Sequence, residues 1–271
     1  MPDGYLRHIW ENLNANRGAA PAGPPAGGRI RKGRFVSLMP MFYYFDPLYF
    51  LFLLPALALV IIAQVWVKSS YNKYAKVYSR RGLTGREAAQ AVLDRAGLHH
   101  IRIERVAGKL TDHYDPRTQV IRLSPEVYNT PSIAAVGIAA HEAGHAVQHA
   151  TGYAGIKVRN AILPISSHGP MLGIFMLLIG AVFNFPVLIY FGIALFSFAF
   201  LFQLVTLPVE FNASRRALAA IKETGLLTEE ERAGARKVLT AAAMTYVAAM
   251  LQTLMTLLYY IVRFTGGSRR E

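Results

Sequence analysis

The chain has no cysteine among its 271 residues. That excludes a disulfide scaffold and a thiolate-ligated zinc ribbon, and it leaves histidine and carboxylate as the groups able to hold a transition metal. Charge is scarce too. Charged residues make up 17% of the chain, whereas soluble domains carry about a quarter. With 53% hydrophobic residues and a mean hydropathy of +0.28, the composition excludes a disordered protein and argues against an ordinary soluble domain. Acids are the scarcest of the charges, 16 Asp and Glu against 29 Lys and Arg, for a formal net charge of +13. Such an excess suits nucleic acid or anionic lipid. No nucleic-acid-binding motif accompanies it, so the lipid bilayer is the expected partner and nucleic acid is not.

What is abundant is apolar sequence in blocks. Residues 48 to 67, LYFLFLLPALALVIIAQVWV, carry no charge and are long enough to span about 30 Å of hydrocarbon. Tyr43, Tyr44, Tyr49 and Trp66 sit toward the two ends of this segment, where interfacial aromatics belong. Residues 170 to 207 form a second uncharged block, too long for one span, with turn chemistry at Asn184-Phe185-Pro186. It reads as two helices, the first starting near Ile165 and the second ending near Leu207. A fourth block, 241 to 262, is a transmembrane or packed helix, because its threonines, Gln252 and small alanine face also suit burial against other helices.

Two polar regions remain. In 68 to 164, Thr84-Gly85-Arg86-Glu87 is a capping box opening a helix over 85 to 96, stopped by Gly97. Residues 101 to 123 read as a small antiparallel sheet with a turn at Asp115-Pro116-Arg117-Thr118. Thr130-Pro131 is expected to cap a helix running to about Ala150. The expected organisation is a disordered basic extension over 1–40, a first transmembrane helix over 41–67, a site-bearing domain over 68–164 and a transmembrane hairpin over 165–207. A ligand-bearing helical segment over 208–240, the fourth helix over 241–262 and a tail over 263–271 complete it.

The chemistry lies on the helix after Pro131, in His141-Glu142-Ala143-Gly144-His145. Histidines at i and i+4 share one helix face and can reach a single zinc ion, and the glutamate beside the first can take a proton from the water such an ion activates. If the pair were merely polar residues of an amphipathic helix, three ionisable groups would stand in an apolar segment without partners, which is costly. His149 sits about 12 Å along the axis from His141 and cannot converge on the same ion. Gln148 and Thr151 occupy positions where a metzincin needs glycine and histidine, which excludes that class.

A catalytic zinc site needs a third protein ligand. From Ala143 to Val209 the chain has no Asp or Glu, and the first carboxylate after Glu142 is Glu210. A hairpin of two spans returns the chain to the membrane face it left, so Glu210 is the expected third ligand. A capping role at the start of the next helix would also suit its position. Intramembrane proteases of the site-2 type take an Asp from a later span, but the last Asp here is Asp115, upstream of the motif, so the site is expected beside the membrane surface.

Several stretches together resemble a known family: MFYYFDP (41–47), RRGLTGREAAQAVLDRAGL (80–98), LTDHYDPRTQVIRLS (110–124), VYN (127–129), AAHEAGHAVQHATGY (139–153) and VEFNASRRA (209–217). They look like the neutral zinc metallopeptidases of the YugP type, bacterial membrane peptidases more distantly similar to HtpX-type enzymes. The resemblance implies a mainly α membrane protein of three to four transmembrane helices, with a membrane-proximal α+β zincin-like, gluzincin-type metalloprotease domain. It also implies one Zn2+ on His141, His145 and Glu210, with Glu142 as general base. Ser214 stands where the distant relatives have Asp, so a supporting carboxylate is not carried over there.

The expected function is a zinc-dependent endopeptidase acting on peptides or proteins, membrane proteins among them; the alternative is a membrane adaptor with a structural or inactive metal site. Candidates for supporting the ligands or the reacting oxyanion are His113, Tyr114, Tyr153, His168 and Arg215. A strand edge within 109 to 123 is expected to bind extended substrate. Lys and Arg number fourteen in 68 to 169 and six in 208 to 240, which by the positive-inside rule puts the site on the cytoplasmic face of a multi-pass bacterial membrane protein. Six more in residues 1 to 40 contradict that placement, and a start at Met41 would remove the conflict.

Overall fold

The structure is a computed structural model and describes residues 46–265. The expected basic extension, Tyr43, Tyr44, the alternative start at Met41 and residues 266–271 lie outside the described residues.

The first helix, α1 (Pro47–Tyr74), opens where Asp46 accepts a hydrogen bond from the Leu48 N–H at 2.9 Å and Pro47 takes the first helical position, since proline lacks an N–H that would otherwise be orphaned there. Its apolar side chains face outward, Leu51 being 68% exposed. A helix of 28 residues is about 42 Å long. It therefore outruns the hydrocarbon core of about 30 Å, and its last turns carry Tyr71 among the polar elements.

The capping box forms as read. Thr84 Oγ1 accepts the Glu87 N–H at 3.3 Å, and Glu87 Oε2 accepts the Thr84 N–H at 2.7 Å. They open α2 (Gly85–Arg95), and Gly97 past its end has a φ of +70°, a left-handed conformation that glycine adopts without a Cβ penalty.

The sheet differs from expectation. Strands β1 (Arg102–Arg105), β2 (His113–Asp115) and β3 (Val120–Leu123) lie in the order β1-β3-β2. β2 and β3 form the expected antiparallel hairpin, with Tyr114 opposite Ile121, but β1 runs parallel to β3. Alternation of apolar and polar residues reports which face is buried and carries no information on strand direction. Direction is set by the connection over 106–112, pinned where Asp112 accepts hydrogen bonds from the Ser124 N–H and hydroxyl at 2.7 and 3.1 Å.

After one turn of helix, α3 (Pro125–Tyr128), comes the buried helix α4 (Ile133–Ala150). It begins later than Thr130-Pro131 would have it. The Pro131 carbonyl accepts from the Ser79 N–H at 2.8 Å, and the Ile133 N–H donates to the Val77 carbonyl at 2.9 Å. This pairing holds the approach extended, and Ser132 becomes the cap, its hydroxyl accepting from the Ala135 N–H at 3.2 Å.

Three long helices follow: α5 (Ala154–Val182), α6 (Pro186–Glu223) and α7 (Glu229–Thr265). The turn at Asn184-Phe185-Pro186 is as expected, but α5 starts at Ala154 rather than near Ile165, and α6 continues past Leu207 with Pro208 inside it. Pro208 costs one backbone hydrogen bond. The burial of Val209, Ala213 and Ala217, each 0% exposed, keeps the helix running across that defect. Gly173 and Gly192 let α5 and α6 touch backbone to backbone, since a Cβ on either would lie 2.7 or 2.6 Å from the carbonyl oxygen of the other. Close approach of this kind is how small residues associate helices in lipid.

Among the described residues the protein is thus mostly helical, with a small sheet and four helices, α1, α5, α6 and α7, long and apolar enough to cross a membrane. The core of the polar part gathers Leu93, Ile121, Leu123, Val127, Val136 and Ile221 around α4, which packs against α2, α6 and α7.

Candidate metal centre

Helix α4 presents His141 and His145 one turn apart, their ring centroids 4.7 Å from each other. Between them, Gly144 makes contact with α6 possible: a Cβ there would lie 2.7 Å from the Ala213 carbonyl oxygen. That close approach brings in Glu210, 6% exposed, whose Oε2 lies 3.4 Å from His141 Nε2 and 3.6 Å from His145 Nε2. One donor atom from each of the three side chains falls within 4.8 Å of the others.

Two donors each about 2.0–2.1 Å from one tetrahedral zinc ion are about 3.3–3.4 Å apart, close to the separations between Glu210 and each histidine. The imidazoles are also fixed for that use. Gln148 Nε2 donates to the Val209 carbonyl at 2.8 Å and to Asn212 Oδ1 at 2.9 Å, so its Oε1, 3.0 Å from His145 Nδ1, must accept. His145 then carries its proton on Nδ1 and turns the Nε2 lone pair toward Glu210. Ser214 Oγ, 3.2 Å from His141 Nδ1, can do the same for the other ring. Two imidazole nitrogens and one carboxylate oxygen, oriented from behind by hydrogen bonds, are a donor set suited to zinc. Burial disfavours the charged form of His145, yet Glu210, followed by Glu142 and Gln148, outweighs it and holds the pKa above its ordinary value.

Glu142, 8% exposed, lines one cavity with His141 and Glu210, and its Oε2 accepts the Tyr114 backbone N–H from the sheet at 2.9 Å. A cavity of about 230 Å³ lies over it, lined among others by His141, Glu142, Glu210, Ser214, Asp112, Tyr71 and Tyr246. Burial pushes the Asp112 carboxyl up; the hydrogen bonds from Ser124 oppose this, and the nearby Glu142 charge adds to it.

The other sequence candidates are scattered. Tyr114 reaches the site through its backbone, while its ring meets His149 edge-on at 5.5 Å. His113 is exposed, with its Nδ1 2.8 Å from the Thr111 carbonyl oxygen. Tyr153 packs over Gly155 at the start of α5, and His168 is exposed on α5. Arg215 is exposed on α6 and lines a neighbouring groove. Sequence reasoning missed Gln148, Asn212 and Tyr246 and set Ser214 aside. Helical spacing could have found two of them, since Gln148 follows His145 at i+3 and Ser214 follows Glu210 at i+4. Nothing local marks Tyr246, which comes from another helix.

Comparison with known proteins agrees with this chemistry. Residues 49–265 match the model of a family described as "Putative neutral zinc metallopeptidase". The chain is 46% identical over 219 residues to the "Putative membrane protease YugP" of Bacillus subtilis (strain 168), an alignment covering 80% of this chain and 97% of that protein. No solved structure matches.

Proposed function

This chain belongs to the neutral zinc metallopeptidase family, and from that premise we propose that it is a membrane-bound zinc-dependent endopeptidase with Glu142 as general base. The observation that carries the proposal is the convergence of His141, His145 and Glu210 from two helices, with Glu142 beside them at the floor of a cavity. A zinc ion held by these three groups would supply a Lewis acid that acidifies water and polarises a peptide carbonyl.

The chain's own residues do the rest. Glu142 accepts a proton from the attacking water and returns it to the leaving amine. The Tyr114 N–H, on the outer edge of β2, holds the Glu142 carboxylate in place. The same edge offers main-chain groups to which an extended substrate can add as a further strand. Gln148 and Ser214 hold the imidazoles in the tautomer that leaves Nε2 free. An adaptor with a closed metal site would need a fourth ligand, whereas the cluster among the described residues has three members. The distribution of Lys and Arg favours a cytoplasmic site, and peptides or proteins, including membrane proteins, are the substrate class.

The test is Glu142→Gln in the full chain. Zinc should remain bound at one ion per chain while peptide hydrolysis falls by at least about 100-fold, the lower end for loss of a general base. Full activity in that variant, or a wild-type protein that takes up no zinc, would end the proposal.

A further inference from the structure

A second cavity, of about 750 Å³, adjoins the first. The two share Ser214, Leu239 and Ala243, so the groove meets the cavity that His141, Glu142 and Glu210 line. From there it runs between α6 and α7 away from the apolar parts of both helices. One wall is a single face of α6, with Arg215, Leu218 and Lys222 at successive turns; the other is a face of α7 with Leu239, Arg236 and Arg232. No described acidic residue lines it. Arg232 is neutralised by Glu229, to which its guanidinium donates. Arg215, Lys222 and Arg236 are exposed, and no described carboxylate lies within ion-pair distance of any of them.

Three cations with no described carboxylate partner, two on the α6 wall and one on the α7 wall of a groove that also holds leucines and alanines, repel one another, and an anionic occupant relieves that repulsion. The path from Ser214 to Lys222 covers eight residues of helix, about 12 Å. That is the reach of about four residues of extended peptide.

We infer that this groove is a specificity subsite selecting acidic side chains within about four residues of the scissile bond, on one side of it. The inference rests on the peptidase reading and names its substrate class. The groove's continuity with the first cavity and its course away from the apolar helix segments favour a peptide over a phospholipid headgroup as occupant.

The experiment compares two matched peptides, identical but for Glu or Gln at the second to fourth positions on each side of the cleaved bond, with the full chain in neutral detergent. Three exposed ion pairs, each contributing at most a few-fold, should give the acidic peptide about a tenfold advantage in kcat/KM, expressed in KM and shrinking as salt is raised. Arg215→Gln, Lys222→Gln and Arg236→Gln together should abolish the preference and leave the Gln peptide's hydrolysis unchanged; Arg236→Glu with Lys222→Glu should reverse it. Equal rates for the two peptides with the wild type, or a preference that survives neutralisation, would overturn the inference.

If neither peptide is cleaved, the peptidase reading fails by itself, and the groove is then tested by fluorescence anisotropy with the labelled peptides. Binding of the acidic peptide that is lost in the neutralised variant supports the groove; equal binding of both peptides overturns it. A variant altered only in its affinity for phosphatidylglycerol over phosphatidylcholine vesicles, with peptide preference intact, assigns the cations to lipid and also overturns it.

Discussion

Gln148 is fully buried, and its amide oxygen accepts from Nδ1 of His145 while its amide nitrogen is spent on the Val209 carbonyl and on Asn212. One side chain thereby sets the tautomer of a ligand on α4 and joins that helix to α6, one residue from Glu210. Asn212 is in turn held by the Arg216 guanidinium at 2.8 Å, so the orientation of the metal centre is anchored several residues away from it.

Gln148→Ala should therefore weaken zinc binding by about 10- to 100-fold, the usual consequence of losing a group that orients a ligand. It also removes the hydrogen bonds from the buried Gln148 amide to the Val209 carbonyl and to Asn212, at about 1–3 kcal/mol of stability. Zinc retention against graded chelator measures the first effect, and thermal unfolding of the metal-free protein the second. Unchanged retention would show that His145 is oriented by other means.

Ser214→Ala removes the partner of His141 Nδ1 and should weaken zinc binding about 10-fold, with little change in metal-free stability because Ser214 is only half-buried. Ser214→Thr keeps the hydroxyl and should restore most of the affinity. If Ala and Thr behave alike, the hydroxyl does not orient the ring.

Gly144→Ala tests the close approach of α4 and α6. Its methyl would sit 2.7 Å from the Ala213 carbonyl oxygen, so the helices must separate, at about 1–3 kcal/mol of overpacking strain. Since Glu210 is carried on α6, the separation should cost zinc as well as stability. The readouts are metal content after dialysis and the midpoint of thermal unfolding. A variant that keeps both would mean that the interface yields without moving the ligand.

Asp115 supplies a pH dependence. Hydrogen bonds from Thr118, Arg122 and the Arg117 N–H hold its carboxyl well below the usual carboxylate range. A depressed pKa in the folded state means that its contribution is complete above the unfolded value of about 3.9 and is lost as pH falls toward the folded one. Asp115→Asn should thus lower the melting temperature slightly at neutral pH, with the gap to wild type closing below about pH 4. A gap that stays constant with pH would show that the charge on Asp115 contributes nothing to the turn.

Much of the site was legible because its signals are local. Histidines one helical turn apart, a glutamate beside the first and a long stretch free of acids ending at Glu210 are all properties of one-dimensional order. The same holds for the capping box at Thr84 and the turn at Asn184-Phe185-Pro186, where the deciding contacts lie within three residues. Local patterning does not decide an element whose partner is distant. β1 runs parallel to β3 because of how the 106–112 connection is pinned, the start of α4 is displaced by pairing with residues 77–79, and α6 passes Pro208 because its face there is buried.

Sequence alone determined the family, three apolar helices with a fourth left between spanning and packing, and the residue types able to hold zinc, since composition, run length and helical spacing report burial and chemistry directly. Tertiary structure decided what each of those residues faces. The Ala213 carbonyl over Gly144, Gln148 behind His145, Ser214 behind His141, Tyr246 from α7 and the cationic groove between α6 and α7 all depend on how helices separated in the chain come together. Packing depends on contacts between distant residues, and neither spacing nor composition encodes which faces will meet.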